Sequence, residues 1–366
     1  MADDRGGAAR ARRVRLGHGA PAAHGGGAGG DSGAGPQGIR GARNARRRDH
    51  WHGPRGTHAG RERAGEERRR PPLRRRLHRP ERARDRAARQ GIRLHAGYEA
   101  VLADPAVKAV VLATPHRQHA GQVVAAARAG KHVFVEKPFT LSKASAEAAA
   151  AACREAGVVL ALGHNRRFLP ATAEMRRMVA EGALGRLLHA EGNMSGPGAL
   201  GYAPESWRSD REESPLGGMG GMGIRMVDML IHLMGPLASV SVAAARQVLP
   251  GLDDTTAMLG RFASGATCTF ATLAAVPRHW RVTLFGTREN LEMDGQDRLR
   301  FTPLEGEGWV REFAKADIEH AELAAFAAAV ADGPACPLPL EEAIHGVAVF
   351  EAMIGAAASG GTYAVA

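Results

Sequence analysis

The chain has 366 residues and a formal net charge of +11. No run of about eighteen apolar residues is present, which excludes a membrane-spanning helix. No apolar stretch follows the N-terminal arginines, so a secretory signal is not expected either. The charge divides unevenly: residues 1–90 hold 24 Arg, no Lys and 9 acidic residues, a balance of +15, and residues 91–366 carry −4. The length suits two ordinary domains, and the mild acidity of the larger part argues against nucleic acid as its partner. Cys153, Cys268 and Cys336 are odd in number and unpaired by spacing, as in a reducing cytoplasm.

Residues 1–90 contain no Phe or Tyr and only scattered apolar residues such as Val14, Leu16, Ile39 and Leu77. Burial of so little apolar surface does not offset the conformational entropy of folding, so disorder is expected. The run Arg68-Arg-Arg-Pro-Pro-Leu-Arg-Arg-Arg76 could meet nucleic acid electrostatically, but no aromatic residue is interleaved for stacking, and a solvated charge run explains it as well. Two tracts, Gly25–Gly30 and Gly33–Gly38, satisfy G-x-G-x-x-G, yet neither follows an apolar strand or opens a periodic helix. The abrupt change of composition near Gly91–Ala96 is what a GC-rich gene read in a wrong frame, or from a wrong start, would produce. A genuine disordered extension is the rival reading.

From Gly91 onward the pattern is orderly. Val107–Pro115 reads as a buried strand, His116–Gly130 as a helix closed by a C-terminal glycine, and His132–Glu136 as a second strand. Together they form one βαβ unit. Ser142 caps a helix reaching about Ala156, Val158–Leu162 is the next strand, and Pro170–Glu181 a helix with proline in its first turn. Alternating stretches follow at Leu187–Glu191, Val240–Val248, Thr255–Phe262, Thr267–Leu273, Arg281–Phe285, Asn290–Met293 and Leu299–Thr302, and two helices close the chain at about Ile318–Ala331 and Leu340–Ala357. The expected architecture is an α/β parallel-sheet domain followed by an α+β domain with a largely antiparallel open sheet. The divisions are 1–90, 91–165 and 166–366.

Lys137 sits just past the strand His132–Glu136, at the sheet edge where open α/β folds bind ligands. Ala113-Thr-Pro-His-Arg-Gln-His119 and Ala129-Gly-Lys-His-Val-Phe-Val-Glu-Lys-Pro138 closely resemble motifs of the Gfo/Idh/MocA oxidoreductases, A-T-P-N-x-x-H and A-G-K-H-V-x-x-E-K-P. The resemblance runs from about Arg93 to the C-terminus and implies a Rossmann-like domain binding NAD or NADP. It places Thr114, Pro115, His116, His119, Glu136, Lys137, Asn165 and Arg166 along the cofactor cleft, His116 standing where the family has Asn. Lys137 would hydrogen-bond a substrate hydroxyl and a cofactor ribose, and Glu136 would orient the turn or the ribose.

Gly217-Gly-Met-Gly-Gly-Met-Gly-Ile-Arg-Met-Val-Asp228 resembles the family's D-x-G-x-H-x-x-D segment, in which the His moves the hydroxyl proton. Here Gly221 takes the first Asp position and Arg225 the His position. A guanidinium stays protonated at working pH and is no general base. Arg225 could instead bind an anionic substrate group or hold an oxyanion. Asp228 keeps the family register one turn on, and either a catalytic role or an ion pair with Arg225 would suit it. His232 could supply a base or simply pack the helix. Trp207-Arg208-Ser-Asp210 could close over substrate. No His/Cys set has metal-ligand spacing.

The resemblance therefore implies an NAD(P)-dependent dehydrogenase for a sugar, cyclitol or related polyol, a homo-oligomer in the cytoplasm with no membrane contact. The competing reading is a non-catalytic relative that binds a sugar-like ligand or a partner protein.

Overall fold

The structure is a computed structural model that describes residues 11–13 and 80–366. Both G-x-G-x-x-G tracts and the Arg68–Arg76 run lie outside the described residues. Within the segment expected to lack structure, β1 (Ala11–Arg13) pairs with a later strand and α1 (Pro80–Arg89) is helical, with Ala87 buried. Both segments are too Arg-rich and too poor in apolar residues to have signalled an element.

A parallel sheet follows. Its strands β2 (Ala109–Leu112), β3 (His132–Glu136) and β4 (Leu160–Gly163) lie in the order β2-β3-β4. The crossovers are α3 (His119–Arg128), preceded by the short turn His116–Gln118, and α4 (Lys143–Glu155). Alanines at the helix faces (Ala126, Ala127, Ala146, Ala149, Ala150) let these helices lie close to Val133 and Val135, and all seven are at most 1% exposed. Ser142 Oγ accepts from the Ser145 amide, the cap expected of it. α2 (Tyr98–Ala103) precedes the sheet.

α5 (Pro170–Ala180) leads into the second sheet. Its strands are β5 (Leu187–Ser195), β6 (Leu237–Ala245), β7 (Thr255–Phe262), β8 (Thr267–Leu273), β9 (His279–Gly286), β10 (Glu289–Asp294), β11 (Arg298–Pro303), β12 (Trp309–Glu312) and β13 (Thr362–Ala364). The order across the sheet is β1-β12-β11-β10-β9-β5-β8-β7-β6-β13, antiparallel except for β5 beside β8. β12 and β13 were not anticipated, since four and three residues carry too little alternation to register. The closing helices α7 (Ile318–Val330) and α8 (Leu340–Ser359) match expectation within two residues.

The element that positions the site is α6 (Ile224–Met234), entered through a π-helical turn at Met219–Gly223. Nine of its eleven residues are buried, because it lies between the inner face of the second sheet and α8. Gly217 makes the entry possible: its φ is +57°, and a Cβ there would stand 1.7 Å from the Asp253 carbonyl oxygen. Gly217→Ala should therefore destabilise the fold by roughly 2–4 kcal/mol in urea unfolding, from backbone strain plus displacement of Asp253. An unchanged midpoint would show that this approach does not constrain the loop.

Candidate active site

Three cationic side chains converge at the carboxyl edge of the parallel sheet. Lys137 follows β3, with a cis peptide to Pro138, and its Nζ donates to the Gly221 carbonyl at 3.0 Å. Arg225, in the first turn of α6, donates from Nη1 to the same oxygen at 2.9 Å. Arg166 comes from the turn after β4. Its Nη1 donates to Asn165 Oδ1, and its guanidinium lies 5.6 Å from the Trp280 ring centroid. Among the described residues, no carboxylate stands within 4.0 Å of these three heads. The Nε atoms of Arg166 and Arg225 are buried without a hydrogen-bond partner.

Two clefts meet here. One, of about 380 Å³, is lined by Thr114, His116, Glu136, Lys137, Trp207 and Arg208. The other, of about 610 Å³, lies against the second sheet and is lined by Arg166, Ser195, Met222, Arg278, Trp280 and Asp294 among others. Tyr202, Gly221 and Arg225 line both, so the Gly221 carbonyl marks their junction.

Burial and crowding of charge set the protonation states. Desolvation, then the Arg225 charge, pulls Lys137 down to about 7. Desolvation and the same neighbour take Arg166 down to about 10, still protonated at neutral pH. Behind them, burial and the neighbouring Glu136 and Glu319 push Glu322 up to about 8, so it is largely protonated at pH 7 and neutralises little of the cationic cluster. His116 falls to about 4 through burial. Its neutral ring lies with Nδ1 2.6 Å from the Glu213 carbonyl, and its ring centroid is 4.8 Å from that of Trp207.

The loop carrying Trp207 and Arg208 is tied to the parallel-sheet domain at that point. Besides His116, the Arg117 amide donates to Glu213 Oε2 at 3.1 Å and the Arg117 guanidinium pairs with Glu212. Arg208 lies over the Trp207 ring at 4.2 Å. The segment expected to close over substrate is thus docked on the smaller cleft.

The remaining sequence-level candidates separate in space. Thr114 donates to Gln122 Oε1 and lines the smaller cleft, and Pro115 precedes the turn at His116–Gln118. His119 is wholly buried, with Nδ1 2.8 Å from the Pro138 carbonyl and Nε2 3.0 Å from that of Thr114. Its ring ties the ends of β2 and β3 together from within. Asn165 turns away, donating to Glu319 Oε1 on α7.

The anticipated Arg225–Asp228 ion pair is not formed. Asp228 is bound by Arg167, whose Nε and Nη2 reach both carboxylate oxygens at 2.8–3.1 Å, while His164 Nδ1 stands 3.6 Å away. Arg167 also donates to Glu342 and to His232 Nδ1. His232 falls to about 4, from burial and then the Arg167 charge, and as a neutral acceptor it belongs to this network rather than to either cleft. The i,i+3 spacing suggested Arg225 as partner. The side chain that reaches Asp228 comes instead from a different turn, which spacing along one helix does not reveal. Tyr202, Trp280, Arg278 and Glu322 were missed because they come from separate loops and elements.

Two family models match the chain: the oxidoreductase family with NAD-binding Rossmann fold at residues 77–164, and the GFO/IDH/MocA C-terminal domain at residues 172–292. Together they cover more than half of it, and the first begins sixteen residues before Arg93. The chain belongs to the Gfo/Idh/MocA oxidoreductase family. It is 31% identical over 164 residues to the levoglucosan dehydrogenase of Pseudarthrobacter phenanthrenivorans, covering 44% of this chain and 42% of that one. It is 39% identical over 99 residues to the NAD(+) scyllo-inositol 2-dehydrogenase of Bacillus subtilis, covering 27% and 29%. The chain thus spans less than half the length of these curated relatives. A levoglucosan dehydrogenase structure in complex with NADH and L-sorbose superposes with a TM-score of 0.71 at 22% identity, over 79% of this chain and 88% of that one.

The smaller cleft fits the nicotinamide end of such a cofactor. A carboxylate (Glu136) and an ammonium (Lys137) line one side, as a ribose diol would require, and neutral aromatic rings (His116, Trp207) line another. Arg167 and Asp228 are paired apart from both clefts. Asp228→Ala should cost roughly 3–5 kcal/mol in urea unfolding, because it strips a buried guanidinium of its main counter-charge. Asp228→Leu combined with Arg167→Met should recover most of that loss. No recovery in the double variant would contradict the pairing.

Proposed function

We propose that the chain is an NAD(P)-dependent oxidoreductase acting on a sugar, cyclitol or related polyol. The observation that carries this reading is the junction at Gly221, where a cleft suited to the nicotinamide end of the cofactor and a second, larger cleft meet beside Lys137. The dehydrogenases named above support it. When bound, NAD(P) supplies the hydride acceptor or, in reverse, the donor. Lys137 holds the substrate hydroxyl at Nζ, and its neutral amine takes the O–H proton as the C–H hydride leaves. Arg225 keeps its proton and offers positive charge to the developing alkoxide. Glu136 orients the ribose, Thr114, Pro115 and His116 form the cofactor wall, and Trp207 closes it. His119, Asn165 and Asp228 hold these elements in place without touching substrate.

We further propose a homo-oligomer in the cytoplasm. Leu259, 55% exposed, faces outward from the second sheet with Ser241, Thr269 and Glu191 in register across four strands, around a shallow depression of about 620 Å³. The thiols of Cys153 and Cys268 are buried and unpaired, as a reducing compartment would leave them. A monomer in analytical ultracentrifugation would contradict the oligomer. We also propose that residues 1–90 stand in place of the first strands of the dinucleotide domain. Ile92, Leu94 and Val111 of the adjoining region are each more than half exposed, although parallel sheets normally cover both faces.

Nicotinamide absorbance in the presence of polyols and aldoses tests the activity. Lys137→Ala should lower kcat about 100- to 10,000-fold with little change in cofactor affinity. An unchanged kcat would remove Lys137 from the chemistry. The amine is the active form in oxidation, so that rate should rise with pH through about 7, and reduction should fall over the same range. Arg225→Met removes the adjacent like charge, which should raise the Lys137 pKa and move the oxidation profile to higher pH. A profile that stays in place would show that Arg225 does not set it.

A further inference from the structure

Charges buried in a folded protein are ordinarily paired, because an isolated cation loses its hydration without return. The Arg167 guanidinium obeys this, with Asp228 and Glu342 in direct contact. Arg166, the neighbour of Arg167 in sequence, and Arg225, three residues before Asp228, do not. Each has a buried Nε–H aimed at no acceptor, and each contacts only neutral oxygens, of Asn165 and of Gly221. Glu136 and Glu319 act on Arg225 from a distance without reaching it, and Glu322 is largely protonated. Both guanidinium groups open into the larger cleft, with the exposed Arg278 at its mouth. Among the described residues, exposed Asp294 is the only acidic one lining that cleft.

From this arrangement we infer that the larger cleft takes a substrate bearing a carboxylate, a sugar acid or polyol acid rather than a neutral sugar, gripped between Arg166 and Arg225. The inference rests on the oxidoreductase reading and deepens it. Planar guanidinium forks match a carboxylate's two oxygens, and unspent N–H donors are on hand to complete the match. A single carboxylate suits the site better than a phosphate ester, because Asp294 at the cleft and the carboxylates behind Arg225 oppose a second negative charge. The group would lie beside Lys137, which leaves a neighbouring hydroxyl within its reach.

Gly221 supplies an internal control. A side chain added there meets nothing nearer than Tyr202 Oη at 3.8 Å, so Gly221→Asp has room for a carboxylate of its own near Arg225.

The test is calorimetric titration of the full chain, with and without NAD+ or NADP+, using pairs that differ in the acid group: D-glucuronate against D-glucose, and D-gluconate against D-sorbitol. At least one acid should bind roughly 10- to 100-fold tighter than its neutral partner. Arg166→Met, Arg225→Met and Gly221→Asp should each abolish that preference, and Arg166→Met should do so while leaving affinity for the neutral compound unchanged. The two Met variants should also melt at or above the parent temperature without ligand, since each removes an unpaired, half-buried charge. Equal affinities within both pairs, no binding of either acid, a preference that survives Arg225→Met, or tighter binding of glucose 6-phosphate than of glucuronate would overturn the inference. Acid binding without nicotinamide reduction would leave it standing and defeat the oxidoreductase reading. Reduction by neutral polyols with no preference for acids would do the reverse.

Discussion

One backbone oxygen governs the site. The Gly221 carbonyl accepts from Lys137 and from Arg225, so a strand end of the first domain and a helix start of the second are pinned to the same atom. Two cations that repel one another are thereby held close in a partly desolvated place. Lys137 responds in the only way open to it, by releasing its proton near neutrality. Arg225 cannot respond so and keeps its charge. An ordinary surface ammonium would be a poor base at pH 7, whereas a lysine with its pKa near 7 is half in the amine form there.

Such crowding costs stability, and the surrounding structure supplies it. α6 is apolar on nearly every face and packs between the second sheet and α8, with Met226, Val227, Met229 and Leu230 wholly buried. The satisfied network of Arg167, Asp228, His232 and Glu342 lies one turn away and holds the same helix. A rigid, paired layer thus supports an unpaired one, as expected where binding or catalysis requires charges that folding alone would not favour.

Much of this was legible in the sequence. The βαβ unit, the capped α4, the buried strands and the regular alternation of β7 and β8 follow from periodicity and turn residues, which act locally. The position of Lys137 followed from its place after an apolar strand. The partners of Asp228 did not, since Arg167 approaches it from sixty-one residues away. The open-ended Arg166 and Arg225 were equally hidden, because the lack of a counter-charge is a property of three-dimensional neighbours. Gly221 and Arg225 stand in the Gly-rich segment where the family pattern has Asp and His. The lysine that would take over proton transfer was named from a different motif.

The central claim, that burial and then the Arg225 charge make Lys137 a base near neutral pH, is open to direct measurement. The chain has only five lysines, Lys108, Lys131, Lys137, Lys143 and Lys315, so lysine labelled at the ε carbon gives an NMR spectrum that Lys137→Arg assigns. Titration should show the Lys137 resonance moving through its transition at about pH 7, and at higher pH in Arg225→Met. A Lys137 resonance that titrates with the ordinary lysine value, near 10.4, and ignores Arg225→Met would contradict the account.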